Sequence, residues 1–206
     1  QRILEEILEE TKPPIPLECE GLHYLLLTPF RYGSYDGSRF RPPGPGDGVL
    51  YASERVETAI AEHAFLQLLF YSEADGLKPP PTAIERTAIT VGCRTDISLD
   101  LTRLPLARDM AAWSAPADYG PCQALAETAR KAKLECIVYK SVRDPDGGRN
   151  VAILAPAAFT GDDPMADMQT WRLLVRRQGV HAWCENPKIE IEYPIEVFTR
   201  DPRINV

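Results

Sequence analysis

The sequence has no apolar run long enough to cross a bilayer. A membrane-spanning helix needs about 20 consecutive apolar residues, and polar or charged side chains interrupt every apolar segment well before that length. The N-terminal segment mixes glutamates into its apolar pattern and has no small-residue cleavage site, so it does not resemble a secretory signal. We therefore expect no association with a membrane.

The five cysteines are odd in number and lack the spacing of a metal site. None forms a C-x-x-C pair, and the three histidines lie far from one another along the chain. Zinc sites usually draw ligands from such closely spaced pairs, so we expect no metal. Reduced, partly buried thiols are typical of a reducing compartment, and we expect a cytoplasmic protein.

The chain also lacks an excess of positive charge. Its net charge is −7 at pH 7, whereas a surface that binds nucleic acid normally needs clustered lysine and arginine. Residues 31–41 (RYGSYDGSRFR) are a local exception, because they hold three arginines, no lysine and a single acid. Arginines grouped with aromatic residues favour a small anionic ligand. A set of ordinary surface salt bridges is the alternative.

Several common cofactor and catalytic motifs are missing as well. The sequence contains no G-x-x-x-x-G-K-[ST], no G-x-G-x-x-G that opens a helix, no G-x-S-x-G and no H-E-x-x-H. Residues 44–48 (GPGDG) are rich in glycine, but Pro45 removes a backbone donor that a phosphate cradle would use. These absences argue against P-loop, Rossmann, α/β-hydrolase and zinc-protease chemistry.

The pattern of apolar residues predicts a mixed arrangement of strands and helices. A turn at 144–148 makes 136–154 a hairpin. The irregular order of the elements predicts an α+β domain rather than a doubly wound sheet. Strands are predicted at 21–28, 49–52, 87–94, 97–101, 134–139 and 150–154, with strand-like runs in 169–206, and helices at 1–12, 54–71, 107–114 and 119–133.

One acidic residue interrupts the apolar surface of the predicted helix 54–71, for which Ser53 is a plausible N-cap. At about 100° per residue, Glu62 shares a helix face with two leucines, Leu66 and Leu69. A helical glutamate usually faces water, but one among leucines is partly desolvated and needs a partner or a function. Glu62 is therefore a candidate functional carboxylate.

Seven short blocks stand out between residues 29 and 160. They are Ser38–Pro43 (SRFRPP), Gly48–Ser53 (GVLYAS), Glu57–Glu62 (ETAIAE), Gln123–Ala126 (QALA), Ile137–Arg143 (IVYKSVR), Gly147–Gly148 and Asn150–Ile153 (NVAI). In sequence and in order, these blocks resemble the RES-domain family. The family takes its name from an Arg, a Glu and a Ser, which correspond here to Arg39 or Arg31, Glu62 and Ser141.

The resemblance implies an ADP-ribosyltransferase-like fold, with a mixed-sheet core and flanking helices. RES-domain proteins are toxins of bacterial toxin–antitoxin pairs that act on NAD+, either consuming it or moving its ADP-ribose to an acceptor. Their antitoxins are DNA-binding proteins of the Xre type that cover the active site of the toxin. We expect such a partner here, in a complex that can contain a toxin homodimer, and no direct binding of nucleic acid by the toxin.

The resemblance also implies roles for individual residues. Glu62 would stabilise the positive charge that develops on the ribose when nicotinamide leaves. Tyr51 would stack on the nicotinamide ring, and Ser141 would hydrogen-bond the nicotinamide ribose or a phosphate. The alternatives are that Tyr51 is a core aromatic residue and that Ser141 caps a turn.

The remaining candidates would bind the cofactor. Arg31 and Arg39 would hold the pyrophosphate of NAD+ through forked hydrogen bonds, with structural ion pairs as the alternative. Arg143 and Asn150 match the family pattern as second-rank candidates, although Asn150 would also suit a purely structural role in the hairpin. In two respects the chain departs from the family pattern: the loop before Tyr51 is longer, and position 41 holds arginine where asparagine is frequent.

Three functions remain open at this point. The chain would be a toxin that transfers ADP-ribose to a protein, an enzyme that passes it to water or phosphate and so depletes NAD, or a catalytically silent protein that binds its antitoxin. The expected domain arrangement is a RES domain at 29–160. Residues 1–28 would add an N-terminal helix and strand, and residues 161–206 a C-terminal extension packed on the same domain.

Overall fold

The computed structural model describes residues 12–204, apart from positions 34, 45, 75, 162, 163, 165 and 166. The helix predicted at 1–12 thus lies, but for its last residue, outside the described part of the chain. The strands are β1 (Leu50–Ser53), β2 (Ile84–Ile89), β3 (Ser98–Asp100), β4 (Cys136–Lys140), β5 (Arg149–Ile153), β6 (Met168–Arg176), β7 (Gly179–Cys184) and β8 (Ile189–Pro194).

These strands form two four-stranded sheets in the described part of the chain. The first has the order β1-β5-β4-β3, in which β3 runs parallel to β4 and the other neighbours are antiparallel. The second has the order β2-β6-β7-β8 and is antiparallel throughout. Together with the helices, one mixed and one antiparallel sheet confirm the predicted α+β class.

The α-helices are α1 (Tyr24–Arg31), α2 (Val56–Glu73), α3 (Met110–Trp113) and α4 (Gly120–Lys131). Short 3-10 turns add to them at Leu17–Cys19, Leu106–Asp109, Pro156–Ala158 and Ile195–Phe198. None of the helices in the described ranges is both long and apolar enough to span a membrane.

The prediction of a strand at 21–28 (GLHYLLLT) is wrong, because this segment enters helix α1. A continuous apolar run fits a buried strand and a buried helix equally well, so periodicity could not decide between them. The start of the helix is stabilised by His23, whose Nδ1 accepts a hydrogen bond from the Leu25 N–H at 3.3 Å. Leu26, on the buried side of the helix, packs against the first sheet.

Ser53 is not the N-cap of α2, as the sequence suggested, but the last residue of β1. The helix begins at Val56, and Arg55 occupies its N-cap position without a capping bond from its side chain. The strand continues as far as Ser53 because this residue is paired with Asn150 of β5. Its side chain therefore projects from the face of the sheet and binds Asn150, and it does not cap the helix.

The predicted hairpin at 136–154 is confirmed as β4 and β5. The segments 87–94 and 97–101, predicted as consecutive strands, correspond only in part to strands and belong to different sheets. Strand β2 pairs with β6, whereas β3 pairs with β4. The chain therefore crosses from the second sheet to the first within residues 90–97.

The two sheets are covered by different helices. In the first sheet, α1 packs on one face and α4 on the opposite face. In the second sheet, the buried side chains Trp171 and Leu173 pack against Ile60 and Phe65 of α2. Helix α2 therefore contributes to the core of the second sheet, and its Glu62 makes contact with the hairpin of the first.

Candidate functional site

Glu62 lies where α2 passes the end of the β4–β5 hairpin. Its Oε1 accepts a hydrogen bond from Ser141 Oγ at 2.6 Å and a second from Asn150 Nδ2 at 2.7 Å. Both donor residues are buried, whereas Glu62 is only partly covered. Hydrogen bonds to an ionised group are roughly twice as strong as neutral ones. The two donors therefore fix the carboxylate while part of it stays accessible.

Ser141 uses its whole hydrogen-bonding capacity at this point. A hydroxyl has one proton and two acceptor lone pairs. The proton goes to Glu62, and the oxygen accepts the backbone N–H groups of Arg143 at 3.2 Å and Asp144 at 3.0 Å. The turn-capping role and the contact with Glu62 therefore occur together in one side chain. Ser141 transmits the position of the turn to the carboxylate.

A second contact joins the same turn to α2. Oδ2 of Asp144 accepts hydrogen bonds from Thr58 Oγ1 at 2.7 Å and from the Gly148 N–H at 3.1 Å. Burial alone would raise the pKa of Asp144, but these bonds and one from the Asp146 N–H outweigh burial and hold that pKa below its ordinary value. Thr58 precedes Glu62 by one helical turn, so two side chains on one face of α2 form hydrogen bonds with the hairpin turn.

Asn150 is held in turn by Ser53. The Ser53 hydroxyl donates to Asn150 Oδ1 at 2.7 Å, which leaves the amide NH2 of Asn150 facing Glu62. The register of the sheet places Ser53 opposite Asn150 and Tyr51 opposite Ala152. Sequence reasoning missed Ser53 as a site residue. The alternation of side chains along β1 could have identified it, because it puts Ser53 on the same face as Tyr51.

Tyr51 is anchored by its hydroxyl to the loop before β1. The hydroxyl shares a hydrogen bond with Ser38 Oγ at 2.7 Å and accepts the Phe40 N–H at 2.9 Å. Burial of the hydroxyl raises the pKa of Tyr51, although both hydrogen bonds act in the opposite direction. The residue as a whole remains 39% exposed. A phenol anchored in this way can present its ring to a flat partner.

Tyr139 is a further residue of this face that the sequence did not indicate. It lies opposite Asn150 in the β4–β5 register, and its ring contacts Phe40 edge-on at a centroid distance of 4.8 Å. Burial, followed by the charge of Glu62, raises the pKa of Tyr139 well above its ordinary value. The phenol is therefore neutral and forms part of the wall beside the carboxylate.

Arg39 lies on the same side of the first sheet but is partly occupied by the protein. Its Nη1 donates to the carbonyl oxygens of Trp113 at 2.9 Å and Ala115 at 3.0 Å, and its guanidinium lies 4.8 Å from the centre of the Tyr119 ring. Its positive charge also acts to lower the pKa of Tyr51. Arg39 therefore brings a largely buried positive charge to the neighbourhood of Tyr51.

Arg143 is committed to the protein interior. Its Nη2 donates to Asp201 Oδ2 at 2.5 Å and to the Pro116 carbonyl at 2.7 Å, and its guanidinium lies 3.7 Å from the centre of the Phe65 ring. The side chain is 3% exposed. The contacts of Arg143 are thus those of a residue that joins the hairpin turn to the C-terminal segment.

Arg31 lies away from the cluster formed by Glu62, Ser141 and Asn150. It ends helix α1, its Nε donates to the Pro13 carbonyl at 2.7 Å, and its guanidinium lies near the Tyr32 ring. Helix α1 packs with Leu50 and Ile153, whose side chains alternate to the face opposite Tyr51 and Asn150. The structure therefore unites Glu62, Ser141 and Asn150 by direct contact, and it separates Arg31 from them.

The arrangement is suited to stabilising positive charge. A partly exposed carboxylate is fixed by two neutral donors, and among the described residues nothing donates to its Oε2. In the described ranges, no group of three or more His, Cys, Asp or Glu side chains is placed to hold a metal ion.

Two shallow depressions flank Trp183 on the outer face of the second sheet, and none of the candidate site residues lines them.

The model of a known protein family matches most of the chain. The sequence profile of the RES domain matches residues 15–176 of the chain. This range exceeds half of the 206 residues and includes Glu62, Ser141, Asn150, Tyr51 and Arg39. No curated protein matches the chain at a significant level.

Proposed function

We propose, from the premise that the chain belongs to the RES-domain family, that it is a toxin that cleaves NAD+ and transfers the ADP-ribose to a protein. At the level of the family, RES-domain membership is consistent with an enzyme that acts on NAD and is paired with an antitoxin. The observation that carries the proposal is the Glu62 carboxylate, held by Ser141 and Asn150 and partly open to a substrate.

The chemistry needs one carboxylate rather than two. When the bond between the ribose C1′ and the nicotinamide nitrogen breaks, its electron pair stays with nicotinamide, which was cationic and leaves neutral. No general acid has to protonate this leaving group, unlike the leaving group of an ordinary glycoside. Positive charge develops on the ribose, and a carboxylate fixed beside the ribose stabilises that charge without reorganising. Glu62 supplies this carboxylate.

The neighbours of Glu62 take supporting roles in the proposal. Tyr51 provides a ring for stacking against nicotinamide. Arg39 provides positive charge for the pyrophosphate, through the part of its guanidinium that does not bind Trp113 and Ala115. Ser141 and Asn150 orient Glu62. In this proposal Arg31 and Arg143 are structural residues, because the contacts described for them lie within the protein.

Incubation of the purified chain with NAD+ labelled in its ADP-ribose, in the presence of bacterial lysate, tests the identity of the acceptor. Label fixed on a protein band would support transfer to a protein. Rapid loss of NAD+ without fixed label would instead indicate that water or phosphate is the acceptor. If NAD+ remained intact, the chain would be a silent antitoxin-binding protein, and the proposal would fail.

We further propose that an Xre-type antitoxin covers this site. Leu66 and Phe70 follow Glu62 by one and two helical turns, and they are 55% and 54% exposed. Such exposed apolar side chains beside a catalytic group suit a protein that blocks access. Co-expression with the antitoxin should show that Leu66→Glu and Phe70→Glu reduce co-purification while NAD+ cleavage by the free chain is retained. Full co-purification of both variants would contradict this placement.

A further inference from the structure

Two cysteines far apart in sequence meet beside the first sheet. The Sγ atoms of Cys93 and Cys136 are 3.5 Å apart, although 43 positions separate the residues. Cys93 is exposed to solvent, whereas Cys136 is 2% exposed. One thiol of the pair is therefore accessible to a dissolved reagent, and the other is accessible mainly to its partner.

The backbone holds both thiols in place. On either side of Cys93, the Gly92 carbonyl accepts the Thr160 N–H at 3.0 Å and the Arg94 N–H donates to the Ala158 carbonyl at 2.9 Å. Cys93 itself forms an isolated bridge with Phe159.

Cys136 is held from the other side. It begins β4 and is paired with Ser98 of β3 and Ile153 of β5. The approach of the two sulfurs is therefore a consequence of the fold and not of two freely rotating side chains.

We propose that Cys93 and Cys136 form an oxidation site that reacts with hydroperoxides and closes to an intramolecular disulfide. The thiolate of Cys93 attacks a peroxide oxygen, the O–O bond breaks, and Cys93 becomes a sulfenic acid while water leaves after protonation. The sulfur of Cys136 then attacks Cys93, the S–O bond breaks, and the departing hydroxide takes the proton of Cys136. In total, two thiols and one hydrogen peroxide give one disulfide and two water molecules.

The electrostatics of the pair favour this order of events. The hydrogen bond with the Cys136 thiol, opposed by burial, lowers the pKa of Cys93 to about 7. The same contact and burial raise the pKa of Cys136. Because the thiolate is the reactive form, the exposed Cys93 is the attacking group and Cys136 is the resolving one. A disulfide bond is about 2.0 Å long, so the sulfurs must approach by about 1.5 Å from their distance of 3.5 Å.

The closed disulfide would connect two parts of the molecule. Cys93 lies in the crossover from the second sheet to the first, and Cys136 lies within the first sheet. The bond would close a long loop, which restricts the unfolded chain and stabilises the native state. The proposal does not depend on NAD+ chemistry, so its outcome is independent of that of the proposed function.

The test is peptide mapping of the full chain after treatment with an equimolar amount of hydrogen peroxide and alkylation of the remaining thiols. Trypsin should release a crosslinked pair of peptides, Thr87–Arg94 and Leu134–Lys140, with two of the five thiols lost. The Tm should rise by several degrees on oxidation and return with dithiothreitol. Cys93→Ser should abolish the crosslink and the rise in Tm, whereas Cys184→Ser, which removes a buried thiol in β7 of the second sheet, should preserve both.

Other results would overturn the proposal. Oxidation of Cys93 to a sulfinic acid without a crosslink would show that Cys136 cannot reach it. A crosslink that involves any other cysteine would show that the native pair is not the reactive one. A crosslink that forms with an unchanged or lower Tm would show that closure does not fit the native fold. Because Cys93 is exposed, Cys93→Ser is expected to fold even if a substitution at Cys136 does not.

Discussion

At the scale of single residues, the position of the Glu62 carboxylate depends on hydroxyl and amide groups with no charge of their own. Ser141 donates its only proton to Glu62, and Asn150 donates from an amide whose orientation is set by Ser53. Two consecutive hydrogen bonds, from Ser53 to Asn150 and from Asn150 to Glu62, thus link the end of β1 to α2. A change at Ser53 should affect catalysis although, in the proposed function, Ser53 does not touch the substrate.

We predict that Ser53→Ala lowers kcat for NAD+ cleavage about tenfold, with little change in KM. Loss of the hydroxyl leaves Asn150 Oδ1 without its donor and frees the amide to rotate. A tenfold fall in kcat corresponds to about 1.4 kcal/mol, which is the net free energy of about one hydrogen bond. Steady-state measurement of nicotinamide release gives both parameters.

Two variants control for this prediction. Ser53→Thr keeps the hydroxyl and should retain most of the activity, and Ser98→Ala, at an exposed position that begins β3, should have no effect. An equal loss of activity in Ser53→Ala and Ser53→Thr would mean that the hydroxyl is not what matters.

The sequence singled out Glu62, Ser141 and Asn150, but it indicated neither the hydrogen bonds among them nor the partners of the arginines. Glu62, Ser141 and Asn150 lie in sequence blocks whose order is typical of the family, and the structure joins the three side chains by hydrogen bonds. The partners of Arg143 and Arg39 could not be foreseen, because Asp201 is 58 positions away and Trp113 is 74 positions away. Whether a guanidinium is free for a ligand or engaged by the fold depends on such long-range contacts.

At the scale of elements, the hairpin turn and α2 act as one joint. Ser141 binds Glu62 and Asp144 binds Thr58, so the turn is attached at two points one helical turn apart. Gly148 allows this close approach. A Cβ at position 148 would lie 2.0 Å from Thr58 Oγ1 and 2.5 Å from Asp144 Oδ2.

We predict that Gly148→Ala destabilises the fold by about 1–3 kcal/mol, because the added methyl group overpacks a buried contact. It should also lower NAD+ cleavage, because a displaced turn takes Ser141 away from Glu62. Urea unfolding gives the free energy, and nicotinamide release gives the activity. Gly161→Ala is the matched control, because a Cβ at that position meets no described atom within 4 Å. Wild-type stability of Gly148→Ala would contradict the proposed joint.

Element positions were easier to predict than element partners. The strands β1, β4 and β5 and the helices α2 and α4 follow from periodicity and turn signals. The run GLHYLLLT did not reveal its type, because an apolar run alone suits a buried helix as well as a buried strand. The split into two sheets also escaped prediction. The pairing of β2 with β6 connects segments about 80 residues apart. No local sequence pattern predicts such a pairing.

At the scale of the whole molecule, a buried charge cluster attaches the C-terminal segment to the first sheet. Asp201 is fully buried, and its Oδ2 accepts hydrogen bonds from Arg143 at 2.5 Å and Arg203 at 2.8 Å. Arg203 also reaches the Tyr119 hydroxyl at 3.1 Å. We therefore propose that residues up to at least 204 belong to the same folding unit as the candidate site.

We predict that the protein loses stability in acid as its buried aspartates are protonated. Burial alone would raise the pKa of Asp201, but the hydrogen bonds and charges of Arg203 and Arg143 hold it below its ordinary value, and Asp144 is lowered similarly. A lowered pKa contributes stability that is complete above the unfolded-state value, about 4, and is lost as the pH falls towards the folded-state value. Thermal unfolding between about pH 6 and pH 3 measures this loss.

Asp201→Asn provides the comparison for the acid dependence. It removes one titrating group, so the variant should be less stable near neutral pH and should lose less further stability in acid. The same fall in Tm between pH 6 and pH 3 in both proteins would show that Asp201 does not contribute to it.

The most direct test of the account is nicotinamide release from NAD+ by the native chain, Glu62→Gln and Glu57→Gln. Glutamine keeps the shape of the side chain and removes its charge, whereas Glu57 lies on the same helix outside the Glu62 contacts. The account predicts that Glu62→Gln loses at least about a hundredfold in kcat, since the charge that stabilises the transition state is gone, and that Glu57→Gln remains close to native. Near-native turnover by Glu62→Gln would contradict it.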